Sequence, residues 1–174
     1  MSYTPEQLSD LEAIRQCALR YCRGVDRLNP QIMKSAYWPD ATDNHGSFVG
    51  NAWEFVDHCM TSHLKWRGTA HCVLNHTIEL DDANHARGEI YNVSYLFHHP
   101  TEDEPNRTDT WHGRYLDHYE KRSTEEGPEW RISKRICLHE ATHTHTTPAM
   151  AIPADLFRQG EEDRGPDRWR ELGG

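Results

Sequence analysis

The hydrophobic positions in the first third of the chain recur every three or four residues. Thr4-Pro5-Glu6-Gln7 has the residue types of a helix N-terminus, and the apolar side chains that follow it form one face of about five turns. Asn29-Pro30 begins a second, short predicted helix that ends at Pro39. Asn51 is a further N-cap residue, so a third helix is predicted from there to about Trp66.

Beyond the third predicted helix the hydrophobic period changes from helical spacing to alternation. One short predicted strand, residues 41–49, lies before the third helix, and the others are residues 70–80, 86–97, 110–122 and 129–139. Helices first and strands second predict an α+β domain, in which the N-terminal helices pack on one face of a curved, mostly antiparallel sheet. We assign this domain to residues 1–145. Residues 146–174 are rich in Pro, Gly and charge, and we predict a tail that packs on a neighbouring subunit or stays loose.

The composition is that of an ordinary globular protein. The 174 residues suit one domain, and a net charge of −9 argues against a general nucleic-acid surface. No apolar run is long enough to span a membrane, and the N-terminus lacks the features of a signal peptide, so we expect a cytoplasmic protein with no membrane partner. The 5 cysteines are scattered and never spaced as CxxC, which predicts reduced, buried side chains. The 13 histidines, 6 tryptophans and 7 tyrosines would suit a pocket lined with aromatic side chains.

Asp26, at the end of the first predicted helix, is the first candidate for chemistry. It lies on the same side of the helix as Leu19 and Cys22, so its carboxylate would point to the interior. The alternative from the residues alone is a surface ion pair with Arg23 or Arg27.

His71 begins a predicted strand and is the second candidate. Strand alternation places it opposite the apolar face formed by Cys72, Leu74 and Ile78. Its own, more polar face either lines a cavity or contacts solvent, and the alternation does not decide between the two.

His139-Glu140-Ala141-Thr142-His143 matches HExxH, the zinc-protease signature. That motif works on a helix, where the two histidines share one face. Here it continues an alternating segment and leads into several threonines, so we predict a strand and a coincidental match. A zinc hydrolase is therefore the less favoured interpretation.

Several short motifs together resemble those of the SnoaL-like branch of the nuclear transport factor 2-like superfamily. Within it the pattern is most similar to scytalone dehydratase, hexachlorocyclohexane dehydrochlorinase and bile-acid 7α-dehydratase. In chain order the motifs are Tyr21-Cys22-Arg23-Gly24-Val25-Asp26, Tyr37-Trp38-Pro39-Asp40-Ala41, Gly46 with Gly50, His71, and His112 to Glu120 followed by Trp130-Arg131-Ile132 and Arg135.

The resemblance implies a cone-shaped α+β barrel, with a pocket between the helices and the curved sheet, and a homo-oligomer that is a trimer or a dimer. It implies a cofactor-independent and metal-free acid–base pair of Asp26 and His71, assisted by Tyr21. The residues that it suggests for substrate binding are His45, Trp38, Ser94, Arg114 and Arg135.

The resemblance implies a lyase of the dehydratase type that breaks a C–O, C–C or C–X bond in a small hydrophobic cyclic or aromatic substrate, as in the catabolism of aromatic compounds. A neutral His71 would remove a carbon-bound proton while Asp26 holds its other ring nitrogen. One alternative is a polyketide cyclase or isomerase that uses the same site. Another is a non-catalytic ligand-binding module, like the small subunits of ring-hydroxylating dioxygenases.

Overall fold

A computed structural model describes residues 2–148 of the chain. In this range the helices lie mainly before the long strands, and the α+β prediction is confirmed. The helices are α1 (Pro5–Asp26), α2 (Pro30–Lys34) and α3 (Ala52–Ser62), which is followed by a 3-10 turn (His63–Lys65). The strands are β1 (Tyr37–Asn44), β2 (Val49–Asn51), β3 (Trp66–Leu80), β4 (His85–His98), β5 (Arg107–Thr124) and β6 (Gly127–Thr146). The predicted tail lies almost entirely outside the described residues.

The strands form one mixed sheet in the order β2-β1-β6-β5-β4-β3. Neighbours pair in antiparallel fashion except β1 and β6, which run parallel. The helices cover one face, and α1 contacts both β3 and β6. A sheet that is covered on one side by helices and bent by bulges leaves space at one end between the two layers, and this is where the site lies.

The caps of the helices are those that the sequence predicts. Thr4 accepts a hydrogen bond from the N–H of Gln7, and the Gln7 side chain accepts one from the N–H of Thr4, so a capping box begins α1. Asn29 and Asn51 cap α2 and α3 in the same way, through their side-chain oxygens. These caps satisfy backbone N–H groups that have no partner within the helix.

The prediction that the second helix continues to Pro39 is wrong. α2 ends at Lys34, and Pro39 lies within β1. A proline is tolerated there because the pairing of β1 with β6 is irregular between Tyr37 and Thr42, so no regular ladder bond needs its missing N–H. The predicted strand at 41–49 is accordingly two strands, joined by a turn in which Gly46 has a φ of 74°.

A bulge in β3 corrects the predicted faces of that strand. Val73 pairs with Asn92 and His76 pairs with Ile90, so two residues of β3, Leu74 and Asn75, stand opposite one residue of β4. The extra residue reverses the alternation, and Leu74 is 54% exposed rather than packed under the helices. His71 and the alternate residues on its side of the strand before the bulge therefore face the same interior as Ile78 after it.

The hydrophobic core lies between α1 and the middle of the sheet. Leu11, Ile14 and Val25 from α1 are buried against Trp130 and Ile132 from β6. Gly24 allows α2 to approach, since a Cβ at this position would lie 2.4 Å from the backbone nitrogen of Met33. Within residues 2–148, no helix combines the length and the apolarity that a membrane crossing requires.

Candidate active site

The last residue of α1 holds the first long strand through one carboxylate. Asp26 accepts hydrogen bonds from the Thr69 hydroxyl at 2.8 Å, from the backbone N–H of His71 at 2.9 Å and from Nδ1 of the His71 ring at 2.6 Å. The exposed fraction is 15% for the Asp26 side chain and 8% for that of His71. Because Nδ1 donates to Asp26, a neutral His71 ring has its lone pair on Nε2.

His71 lines a cavity of about 230 Å³ between α1, α3 and the inner face of the sheet. The wall combines apolar and aromatic side chains with a few polar groups, which is the usual make-up of a small-molecule site. Residues that line it include Tyr21, His45, Phe55, His63, Trp66, His71, Ser94, Leu96, Trp111, Tyr115 and His139.

A larger depression of about 400 Å³ lies on the opposite face of the sheet. Two of its charged residues, Arg87 and Glu79, pair with each other and are more than half exposed to solvent. Exposed ion pairs contribute little to stability and do not by themselves mark a functional site. We therefore take the smaller, inner cavity as the candidate site.

A second carboxylate–imidazole pair lies on the wall formed by β1 and the turn after it. Nδ1 of His45 contacts Oδ1 of Asp43, and the Tyr37 hydroxyl donates to Oδ2 of Asp43 at 2.6 Å. Although burial opposes the charged imidazole, the hydrogen bonds of Asp43 and Cys137 raise the pKa of His45 to about 9. Neither Asp43 nor Tyr37 was predicted as a site residue from the sequence. The local signal for Asp43 is the Asp-x-His spacing at the end of a strand, where residues two apart share a face.

His63, in the 3-10 turn, is a further cavity residue that the sequence analysis missed. Its ring is parallel to that of His71, with 6.3 Å between the ring centroids. Burial, with repulsion from His71 second, lowers the pKa of His63 to about 3, so this ring is neutral. Its Nδ1 is buried without a hydrogen-bond partner among the residues that the structure describes.

Tyr21 connects the two histidine pairs. Its hydroxyl lies 3.3 Å from Nε2 of His45, and its ring meets that of His71 edge-on, with 6.5 Å between the centroids. Burial holds the pKa of Tyr21 well above its usual range, so the hydroxyl keeps its proton and can donate it.

Ser94 lies on the cavity wall in β4, as the resemblance implied. Its hydroxyl accepts a hydrogen bond from the side-chain amide of Asn92 at 2.9 Å, and the same amide donates to the Tyr115 hydroxyl at 2.7 Å. Asn92 thus fixes two polar groups of the wall, and the sequence analysis did not single it out.

The predicted substrate contacts of Trp38, Arg114 and Arg135 are corrected by the structure. The indole N–H of Trp38 donates to the backbone oxygen of Glu120 at 2.9 Å, away from the cavity. Arg114 follows the inward-facing Gly113 on β5, so it points to the other face of the sheet, where it pairs with Glu89 and Glu140.

Arg135 does not line the cavity but lies directly beneath it. Its guanidinium is fully buried and donates to both carboxylate oxygens of Asp117, at 2.7 and 2.6 Å. Its central carbon lies 4.3 Å from the Tyr21 ring centroid and 4.2 Å from that of Tyr115. Arg135 therefore supports two tyrosines of the cavity through cation–π contacts.

The HExxH segment lies on β6, so the predicted strand is confirmed. His139 faces the cavity, Glu140 pairs with Arg114, and the His143 ring packs against His112. Across residues 2–148, no group of three or more His, Cys, Asp or Glu side chains is arranged to hold a metal ion. All five cysteines, which also lie in this range, are free.

Comparison with known families agrees with this architecture. Residues 6–136 match the sequence profile of the SnoaL-like domain. The chain belongs to the SnoaL-like family. The match covers α1 through the middle of β6, and so includes both histidine pairs of this SnoaL-like chain. A search of curated proteins found no significant match.

Solved structures share the fold of this SnoaL-like chain at low sequence identity. A hexachlorocyclohexane dehydrochlorinase (LinA) type 2 has a TM-score of 0.71 and 20% identity, over 85% of this chain and 97% of that one. The type 3 enzyme from Novosphingobium barchaimii has a TM-score of 0.70 and 19% identity, over 85% and 98%. A proposed scytalone dehydratase from Novosphingobium aromaticivorans has a TM-score of 0.67 and 17% identity, over 84% and 95%.

Proposed function

We propose that this SnoaL-like protein is a cofactor-independent lyase that eliminates a leaving group from a small hydrophobic cyclic or aromatic substrate. The observation that carries the proposal is the 2.6 Å contact between Asp26 and Nδ1 of His71 at the wall of a largely apolar cavity. The dehydratase and dehydrochlorinase among the similar structures agree with it.

His71 is the base in this proposal. Its Nε2 lone pair removes a proton from a substrate carbon, the C–H electron pair forms the new double bond, and the leaving group departs with its own electron pair. Asp26 fixes the ring orientation and stabilises the imidazolium that forms. General-base assistance of this kind contributes roughly 10²- to 10⁴-fold to a rate.

Tyr21, His45 and Ser94 are the substrate contacts of the proposal, since all three line the same cavity. Tyr21 keeps its proton, and His45 lies beside it. A donor aimed at an oxygen where negative charge develops is worth roughly 3 kcal/mol in other enzymes. These groups would stabilise the enolate of a ketone substrate or the departing group.

The size of the cavity favours a small substrate. Its volume of about 230 Å³ is below the roughly 300–1,000 Å³ of pockets that hold drug-sized ligands. This favours a one- or two-ring compound over the polycyclic substrate of a polyketide cyclase, which would use the same proton abstraction. A non-catalytic binding module has no need of a carboxylate that holds the imidazole.

We also propose that the protein is a cytoplasmic homo-oligomer, a trimer or a dimer, that acts in the catabolism of aromatic compounds. Tyr91 and Tyr95 are 46% and 38% exposed on the face of β4 that points away from the helices. Exposed aromatic side chains on one face of a strand add apolar surface through which subunits can associate. Light scattering coupled to size-exclusion chromatography measures the oligomeric state.

Turnover of two variants tests the function. A suitable assay substrate is 3-hydroxy-1-tetralone, a cyclic β-hydroxy ketone whose dehydration to 1-naphthol is followed by absorbance. We expect Asp26→Asn and His71→Ala each to lower kcat at least about 100-fold, because each removes the orientation or the proton acceptor. Circular dichroism spectra should be unchanged in both variants.

The chain offers a matched control in the turn between β3 and β4. Asp82 and His85 form a pair of the same residue types, with 2.9 Å between Nδ1 and the carboxylate, but more than half of each side chain is exposed. His85→Ala should therefore leave kcat unchanged. Near-full activity of His71→Ala, or an equal loss in His85→Ala, contradicts the assignment of the base.

A further inference from the structure

A second carboxylate–imidazole pair at the cavity wall is connected to Tyr21. Asp43 is fully buried, and its two carboxylate oxygens hold the Tyr37 hydroxyl and Nδ1 of His45. The His45 side chain is 17% exposed and lines the cavity. Its other nitrogen, Nε2, lies 3.3 Å from the Tyr21 hydroxyl, which lines the cavity too. A continuous chain thus runs from Tyr37 through Asp43 and His45 to Tyr21.

The surroundings of His45 favour its charged form. Among the described residues, Asp43 on β1 is the one acidic side chain in hydrogen-bonding contact with the ring, and the Phe55 ring of α3 stacks on the imidazole with 4.2 Å between the centroids. The other facing groups are the hydroxyl of Tyr21 on α1, the ring of Tyr115 on β5 and the thiol of Cys137 on β6. Burial raises the pKa values of both tyrosines, so these phenols are neutral. The pKa of about 9 makes His45 an imidazolium at neutral pH.

We infer that His45 is the proton source for the leaving group and that this leaving group is an oxygen, in an elimination that rests on the function proposed above. His71 takes the proton from carbon, and the C–H electrons form the double bond as the C–O bond breaks. The departing oxygen takes the proton of the Tyr21 hydroxyl, and the Tyr21 oxygen takes the proton from Nε2 of His45. One positive charge moves from His45 to His71, and exchange with solvent through the cavity restores both.

Whether such a proton relay helps a reaction depends on the leaving group. Hydroxide is a strong base and leaves slowly unless it is protonated, whereas chloride leaves without a proton. The imidazolium of His45, bound by Asp43 beside the neutral phenol of Tyr21, would therefore assist the loss of water or an alcohol but would give little help to the loss of a halide. Asp43 is a positioning residue, which holds the charge and orientation of His45 but does not line the cavity.

Two substrates that differ only in the leaving group test the inference. 3-Hydroxy-1-tetralone and 3-chloro-1-tetralone lose the same type of proton and give the same product, 1-naphthol. We expect His45→Gln to lower kcat about 100-fold on the hydroxy substrate and less than about 10-fold on the chloro substrate, after subtraction of spontaneous loss. His71→Ala should lower both to the same extent, because both reactions need the base. Equal losses on the two substrates in His45→Gln overturn the proton relay.

Asp43→Asn tests the positioning role, with a readout that a purely structural residue would not move. The ring of His45 is observed by nuclear magnetic resonance of protein with ¹⁵N-labelled histidine, and His45→Gln assigns its signal. The wild-type ring should titrate near 9, and loss of the carboxylate should lower that midpoint by about one unit or more. A wild-type midpoint below 7 overturns the inference, whether or not either tetralone is turned over.

The two proposals fail in different ways. If neither substrate reacts but His45 titrates near 9, the elimination is wrong and the charged His45 stands. If both substrates react and depend on His71 while His45 is neutral at pH 7, the elimination stands and the relay is wrong. Should Asp43→Asn not fold, the wild-type titration and the His45→Gln rate ratio still decide.

Discussion

Two layers of this molecule contain a buried carboxylate, and they use it differently. In the sealed layer beneath the cavity, Asp117 pairs through both oxygens with Arg135, and both side chains are fully buried. In the cavity layer, Asp26 and Asp43 pair with the imidazoles of His71 and His45. A guanidinium keeps its proton at any relevant pH, whereas an imidazole can give its proton up or take one. A carboxylate therefore forms a permanent ion pair in the layer beneath the cavity, whereas in the cavity layer it holds a group that can transfer a proton.

The largest expected effect is the loss of stability when the buried ion pair beneath the cavity is broken. Arg135→Met leaves the Asp117 carboxylate buried beside the Tyr119 hydroxyl and without its cationic partner, and should lower the free energy of unfolding by about 3–5 kcal/mol. Urea denaturation measures the change. The matched control is the double variant Arg135→Met/Asp117→Leu, which removes both charges and should recover most of the loss. A single variant as stable as wild type would show that the ion pair does not support the fold.

A smaller effect, and one that depends on pH, is expected from His45. Its pKa is raised from 6.5 in the unfolded chain to about 9 in the folded protein. The folded state thus binds the proton more tightly, and this contribution to stability is complete below pH 6.5 and is lost as the pH rises through 9. The wild-type protein should lose roughly 2–3 kcal/mol more than His45→Gln between these pH values. Parallel pH profiles of the two proteins would contradict the raised pKa of His45.

The smallest expected effect on stability is that of Asp26→Asn, although its effect on turnover is large. The asparagine keeps one oxygen that accepts from the Thr69 hydroxyl or the N–H of His71, so the free energy of unfolding should fall by about 1 kcal/mol. Thermal or urea unfolding beside the kcat assay checks both quantities. A stability loss as large as that of Arg135→Met would make Asp26 part of the structural support, and the distinction between the layers would fail.

Local sequence patterns predicted the elements of this fold better than their faces. The capping box at Thr4 and Gln7 and the apolar spacing of α1 are local, and the structure confirms both. The end of α2 and the orientation of Leu74 depend on pairing between distant strands, which allows Pro39 into β1 and adds a residue to β3. No window of a few residues contains that information.

The candidate site shows the same division between local and long-range information. Tyr21, His45, His71 and Ser94 line one cavity and Asp26 holds His71, as the resemblance implied, and their roles remain predictions. Trp38 and Arg114 were placed wrongly, because their partners come from strands distant in sequence. Asp43 was missed although its spacing of two residues from His45 is a local signal, and His63 and Asn92 were missed for the same reason as Trp38 and Arg114. Their neighbours in the chain do not reveal what faces them across the cavity.

Because Asp26 binds both the ring and the backbone N–H of His71, the exchange rate of that amide hydrogen can report ligand binding at the cavity. The amide hydrogen of His71 is bound by the same carboxylate that orients the imidazole. A ligand that weakens or strengthens the hydrogen bond of Asp26 to this amide will change the rate at which the amide hydrogen exchanges with deuterium from heavy water. Candidate compounds can thus be ranked by one exchange rate, with no product to detect.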